Sequence, residues 1–93
     1  MPDHLTADEA ARICLDDARS RIGANAEMQT IVVTEFPNSA LGAPRAGEMS
    51  AQMMTSGWTV RIAADGRSLE YRANTRHIRL VGGEEGNLVV YPV

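Results

Sequence analysis

The dipeptide Asp65-Gly66 lies between two alternating runs, Trp58-Thr59-Val60-Arg61-Ile62 and Leu69-Glu70-Tyr71-Arg72-Ala73. An Asp-Gly pair suits the two-residue hairpin connection that needs positive φ at both central positions, so the two runs are expected to be adjacent antiparallel strands. The register follows by counting outward from the turn. Ile62 faces Leu69, Val60 faces Tyr71, Trp58 faces Ala73 and Arg61 faces Glu70, which puts the apolar pairs on one face and the ion pair on the other.

A second tight turn at Asn74-Thr75 would extend the ribbon. Tyr71 would then lie beside Ile78, Leu69 beside Leu80 and Glu70 beside Arg79. The outer face would carry the row Arg61, Glu70, Arg79 next to the row Thr59, Arg72, His77. Guanidinium groups in that arrangement outnumber the carboxylates, so Arg61, Arg72 and Arg79 form a candidate anion site. The alternative is an ordinary solvated sheet face, since surface ion pairs are common and weak. A last strand, Asn87 to Tyr91, follows the turn Gly82-Gly83-Glu84-Glu85-Gly86. Its residues Val89, Val90 and Tyr91 would form an edge able to pair with a second copy, giving a homodimer.

Upstream, Thr6-Ala7-Asp8-Glu9 fits a capping box, in which the Thr6 hydroxyl and the Glu9 carboxylate each satisfy a free backbone N–H at a helix start. A helix from about Ala7 to Ile22 is predicted, with Ala11, Cys14, Leu15, Ala18 and Ile22 forming one apolar stripe at three- and four-residue spacing. The small residues in that stripe suit close packing on a sheet. Gly23, or Asn25 in its place, would end the helix in the left-handed conformation. Gln29 to Phe36 is rich in β-branched residues and bounded by Pro37, so it reads as a strand. Ile31 and Val33 fall on one face and Val32, Thr34 and Phe36 on the other, which predicts a strand covered on both sides or central in the sheet. The expected architecture is α+β, with one N-terminal helix packed on a four- or five-stranded, mainly antiparallel sheet.

A length of 93 residues accommodates one domain, 1–93, with a single modest core. The formal charge of −3 argues against sequence-independent nucleic-acid binding, which needs surplus cations to displace counterions from phosphates. All nine basic residues are arginine, which points to genome composition more than to anion recognition. No run approaches the ~18 consecutive apolar residues of a membrane span, and the start lacks a cationic-then-apolar leader, so a cytoplasmic protein is expected. The only cysteine, Cys14, lies on the helix stripe as a buried small hydrophobe, with no internal partner for a disulfide.

No enzyme reading survives inspection of the reactive side chains. His4 and His77 lack the closely spaced Cys or His that a metal site would need. Cys14 and His77 as nucleophile and base would require Cys14 to leave the core stripe, and no third group orients them. Ser39, Ser50 and Ser56 have no Gly-x-Ser-x-Gly context. The carboxylate pairs Asp16-Asp17 and Glu84-Glu85 point apart or into water, and the glycines lack the strand-loop-helix setting of a phosphate cradle. No cofactor is expected.

The candidate binding surface is therefore the turn-rich loop over 37–52, unusually long for so small a domain. Asn38 and Ser39 would order it through side-chain to backbone bonds. Gly42, Pro44 and Gly47 would set its path, Gln52 would pin it from beneath, and Trp58 would lie nearby. Met49, Met53 and Met54 would either line an adaptable apolar groove or fill the core. The expected role is non-catalytic: binding of an unknown protein partner, with small-ligand or anion binding as the alternative from a different class and structural self-association as a third.

The run Phe36-Pro37-Asn38-Ser39-Ala40-Leu41-Gly42-Ala43-Pro44-Arg45-Ala46-Gly47, followed by Gln52, Gly57-Trp58 and Leu69-Glu70-Tyr71-Arg72, resembles a small, poorly characterised bacterial domain. That family carries an aromatic-Pro-Asp/Asn-x-x-Leu-Gly-Cys-Pro-x-Pro-Gly loop, and the match covers roughly residues 10 to 80. Ala43 stands where the family typically has Cys, Ala46 where it often has Pro and Ser50 where it often has Tyr. In exported relatives the resemblance implies a bridge from the loop Cys to a Cys near the end of the last matched strand. The corresponding stretch here, His77-Ile78-Arg79-Leu80-Val81, has none, which agrees with a reducing compartment and leaves the loop to be held by packing and hydrogen bonds. At the level of shape, a helix against a curled sheet is also similar to cystatin-like and PepSY-like domains, some of which block proteases.

Overall fold

The computed structural model describes residues 4–83 and 86–92. Glu84 and Glu85, in the turn expected at 82–86, lie outside the described residues. Helix α1 spans Ala7–Ile22 and begins as expected: Glu9 N–H donates to Thr6 Oγ1 at 3.1 Å, and Thr6 N–H donates to Glu9 Oε1 at 2.9 Å. Its buried face is Ala10, Cys14 and Ala18, so Ala10 and not Ala11 begins the stripe, while Leu15 and Ile22 flank it half-buried. Gly23 closes the helix at φ 121° and ψ 153°, outside the left-handed helical well, and its N–H still reaches the Arg19 carbonyl.

Five strands follow: β1 Glu27–Phe36, β2 Thr55–Ala64, β3 Arg67–Ala73, β4 Ile78–Gly83 and β5 Gly86–Tyr91. They form one antiparallel meander in the order β1-β2-β3-β4-β5. Asp65 at φ 49° and Gly66 at φ 80° make the β2–β3 turn, and the pairs Ile62–Leu69, Val60–Tyr71, Trp58–Ala73 and Arg61–Glu70 all form as read from the sequence.

The β3–β4 register is two residues away from the expected one. Thr75 and Arg76 form the tip, because Asn74 pairs with His77 through its N–H and its side chain accepts from the Arg76 and His77 N–H groups at 2.8 and 2.9 Å. Asn74 thus acts as a side-chain cap on the turn and not as one of its central residues. Tyr71 pairs with Leu80, Arg72 with Arg79 and Glu70 with Val81. A two-residue shift keeps every side chain on its predicted face but changes its neighbours. The rows Arg61-Glu70-Arg79 and Thr59-Arg72-His77 do not form; Arg79 stands beside Arg72 instead.

A second correction concerns β1. It is an edge strand, neither central nor covered on both faces, and Ile31, Val32 and Val33 are 40%, 54% and 76% exposed.

One face of the sheet packs Val60, Ile62, Tyr71, Ala73, Ile78 and Leu80 against Ala10, Cys14 and Ala18 of α1. Alanines and a cysteine on the helix let its backbone approach the large strand residues, each of which contributes about 1.5–3 kcal/mol when fully buried. The opposite face is covered in part, while Val32 and Arg61 on it stay exposed. Residues 37–54 fold back over it and bury Phe36, Ala40, Leu41 and Ala43 in a second, smaller apolar cluster. The molecule therefore has three layers, helix, sheet and loop. Among the described residues, no helix is long and apolar enough to cross a membrane.

Candidate functional site

The loop is built from its own side chains and then fastened to the sheet. Asn38 Oδ1 accepts from the N–H groups of Ala40 and Gly42, both at 3.0 Å, which closes the first turn. Ser39 is joined to Ala51 twice: Ser39 N–H donates to the Ala51 carbonyl at 3.0 Å, and Ala51 N–H donates to Ser39 Oγ at 2.8 Å. The ordering roles read for Asn38 and Ser39 are thus met by direct bonds. Gln52 is exposed, and the pinning expected of it falls to its neighbour Ala51.

Leu41 and Gly42 both have positive φ, 59° and 67°. A Cβ at 42 would also stand 2.8 Å from Arg72 Nη1, so a side chain there would displace the end of that guanidinium. Leu41 is an unusual occupant of the left-handed region, and its conformation is held by the full burial of its side chain and by a bond to its carbonyl.

That bond comes from the sheet. Arg72 Nη1 donates to the Leu41 carbonyl at 3.0 Å, its Nε donates to Glu70 Oε2 at 2.9 Å, and its guanidinium lies 5.8 Å from the centre of the Phe36 ring. Arg79, 5% exposed, donates to the Ala43 carbonyl at 3.2 Å and to both oxygens of Glu48, with the Nη2 to Oε2 contact at 2.8 Å. Asn87 Nδ2 of β5 donates to the Pro44 carbonyl at 3.0 Å. Two adjacent arginines on one sheet face would repel one another, but Glu70 and Glu48 each supply a carboxylate, the Leu41 and Ala43 carbonyls each accept one further bond, and Arg79 Nε donates to His77 Nδ1 at 3.4 Å. Every buried side-chain nitrogen and oxygen among the described residues has a partner.

The electrostatics follow from this clamp. Hydrogen bonds from Arg79, then from the Arg45 backbone N–H, hold the Glu48 carboxyl down at about 2. Burial, and then the neighbouring Arg79 charge, lower His77 below its usual value. On the helix side, burial pushes the Cys14 thiol up to about 12, which keeps it protonated and unreactive. Tyr71 is also pushed up, by burial first and then by its bond to Asp17 Oδ2 at 2.6 Å.

Of the three arginines read as an anion site, Arg61 is bonded to Glu70 at 3.0 Å and remains largely exposed, whereas Arg72 and Arg79 are committed to the loop. The candidate anion residues and the candidate binding loop are parts of one assembly. The sequence reading missed Glu48, the carboxylate that pairs with the buried Arg79. What the loop presents outward is Pro44 to Gly47, Met49 and Ala51 to Met54, with Met49 94% exposed and Met53 and Met54 60% and 66%. Trp58 is half-buried on the helix-facing side of β2, paired with Val33, and packs on the main core. It therefore belongs to the opposite face from the loop.

A separate open cleft of about 640 Å³ lies between the end of α1 and strands β3 to β5, lined by Arg21, Ile22, Arg67, Leu69, Leu80 and Leu88. Arg21 is already bonded to Asp17 at 2.6 Å. No group of three or more His, Cys, Asp or Glu side chains among the described residues is placed to hold a metal ion.

Fold and site define a small α+β meander domain with a clamped, methionine-bearing loop over its outer sheet face. The chain belongs to the family described as Domain of unknown function (DUF8738), whose model matches residues 9–81, the whole loop included. No curated protein and no solved structure matches the chain.

Proposed function

We propose that this domain is a non-catalytic protein-interaction module and that the outward side of the 44–54 segment is its contact surface. The observation that carries the reading is the exposure of Met49, Met53 and Met54 on a loop whose underside is fixed by Arg72, Arg79 and Asn87. Flexible thioethers adapt to varied apolar partners, and a loop held in place before binding loses little conformational entropy on contact. Of the residues first singled out, Pro44, Gly47 and Gln52 lie on this outward side, and Asn38, Ser39 and Gly42 support it from within. An inhibitor-like mode, with the loop entering a partner's groove as in some cystatin-like domains, is the form of binding this shape suits. A cytoplasmic, reducing location suits a loop held without a disulfide.

A photo-crosslinker at exposed Ala46 in both chains, used in lysate of the source organism, tests the reading by comparing the wild-type loop with the triple variant Met49→Ser, Met53→Ser, Met54→Ser. A protein captured by the wild-type loop and lost with the triple variant, at unchanged thermal midpoint, is the expected result. Identical capture by both chains would overturn it.

A further inference from the structure

We propose that two copies of this chain pair through their β1 strands, antiparallel and centred on Val32, to make one continuous ten-stranded sheet. β1 is a ten-residue edge strand with the exposed run Thr30-Ile31-Val32-Val33, and no charge, proline or glycine interrupts Thr30 to Thr34. Edges of soluble domains are normally blunted by such residues, by shortness or by a covering segment. Strand β5, the other edge, is shorter, half-buried, and carries two irregularities in its pairing with β4.

The occupant is identified by the sequence of the strand itself. A twofold axis normal to the sheet keeps each side chain on its own face, so an antiparallel self-pairing must be centred on a residue. Centring on Val32 sets Thr30 opposite Thr34, Ile31 opposite Val33 and Val32 opposite itself. The segment Thr30-Ile31-Val32-Val33-Thr34 is close to a palindrome under this operation, and paired β-branched residues and paired threonines are favourable neighbours across strands. Centring on Ile31 would run the ladder into the irregularity by setting Gln29 opposite Val33, and centring on Val33 would oppose Glu35 to Ile31. Ile31 and Val33 of each copy would be covered from the side, where α1 does not reach. A closed twofold contact uses the same surface on both copies and stops at two. The irregularity in β1 between Met28 and Thr30 limits the new ladder to the central residues.

Sedimentation equilibrium of the full chain and cysteine cross-linking together test the proposal. The wild type is expected to dimerise, and Val32→Lys, which places two ammonium groups opposite one another at an exposed site, is expected to weaken dimerisation at least about tenfold. Under mild oxidation Val32→Cys should cross-link to itself. Ile31→Cys and Val33→Cys alone should not, whereas an equimolar mixture of the two should. Buried Cys14 serves as the silent internal control. A wild-type monomer at millimolar concentration overturns the proposal, as does a dimer that survives Val32→Lys or cross-links outside this pattern.

Discussion

Arg79 of β4 donates from Nη2 to Glu48 Oε2 at 2.8 Å, joining a sheet residue that is 5% exposed to a loop residue 31 positions earlier. The contact explains how a glycine- and proline-rich segment can be ordered without a disulfide. A cation buried under the loop obliges the loop to bring a carboxylate, and the Ala43 carbonyl shares the same guanidinium. Removing one member of such a pair leaves the other charge buried without compensation, which costs about 3–5 kcal/mol for fully buried pairs. Glu48 retains some solvent contact, so Glu48→Ala is expected near the lower end, about 3 kcal/mol by urea denaturation. Adding Arg79→Met should recover part of the loss, because the buried charge is then gone.

Acidification should weaken the clamp in two stages. His77 has its folded value lowered below 6.5 by burial, so the unfolded chain takes up that proton first and stability begins to fall as pH drops through about 6.5. Glu48 has its folded value lowered from 4.5 to about 2, so its contribution is fully present above about 4.5 and is lost as pH falls from there towards 2. Urea midpoints measured from pH 8 to pH 2 should show the upper slope flattened in His77→Gln and the lower slope flattened in Glu48→Gln. Parallel curves for the variants and the wild type would show that neither group is held as described.

The parts of this architecture that local chemistry controls were legible in the sequence. Asp65-Gly66 admits one turn geometry, and the alternation on either side admits one register, so β2 and β3 were placed residue by residue. Asn74 was ambiguous for a physical reason: asparagine tolerates positive φ within a turn and equally caps one with its side chain, and the second use moves the tip to Thr75-Arg76. The helix was legible from its capping box and small-residue stripe, with one position of drift between Ala11 and Ala10. β1 misled because apolar residues on both faces signal a demand for cover without saying what supplies it. The loop's position over Arg72 and Arg79 was hidden because contacts between residues 31 and 36 positions apart leave no local period. A usable signal did exist: neighbouring outer-face arginines with too few carboxylates in the sheet require one from elsewhere, and Glu48 lies in the nearest unassigned segment.

Gly57 should tolerate no side chain. A Cβ built there would stand 2.0 Å from the Ala73 carbonyl oxygen, a backbone atom at the end of β3 that cannot swing aside. Gly57→Ala must therefore separate β2 from β3 beside the Trp58–Ala73 pair, and overpacking of this kind costs about 1–3 kcal/mol or more. Gly66→Ala is a matched control, since a Cβ there meets nothing within 4 Å and only the positive φ opposes it. Thermal midpoints should fall further for Gly57→Ala than for Gly66→Ala, and the reverse order would contradict the close approach.

The bond between Tyr71 and Asp17 should respond asymmetrically to the loss of either partner. Tyr71 is fully buried in the main core, and its hydroxyl donates to Asp17 Oδ2 at 2.6 Å, while Arg21 Nε donates to the same oxygen at 2.6 Å. Tyr71→Phe removes the hydroxyl but leaves Asp17 still paired with Arg21, so the loss should be about 1 kcal/mol, the ordinary net value of one hydrogen bond. Asp17→Ala leaves a buried hydroxyl without an acceptor and should cost up to about 3 kcal/mol. Combining Asp17→Ala with Tyr71→Phe removes that unpaired group, so the double variant should be at least as stable as Asp17→Ala alone. Chemical denaturation of the four chains measures this coupling, and additive losses would mean that the two side chains do not share the bond in solution.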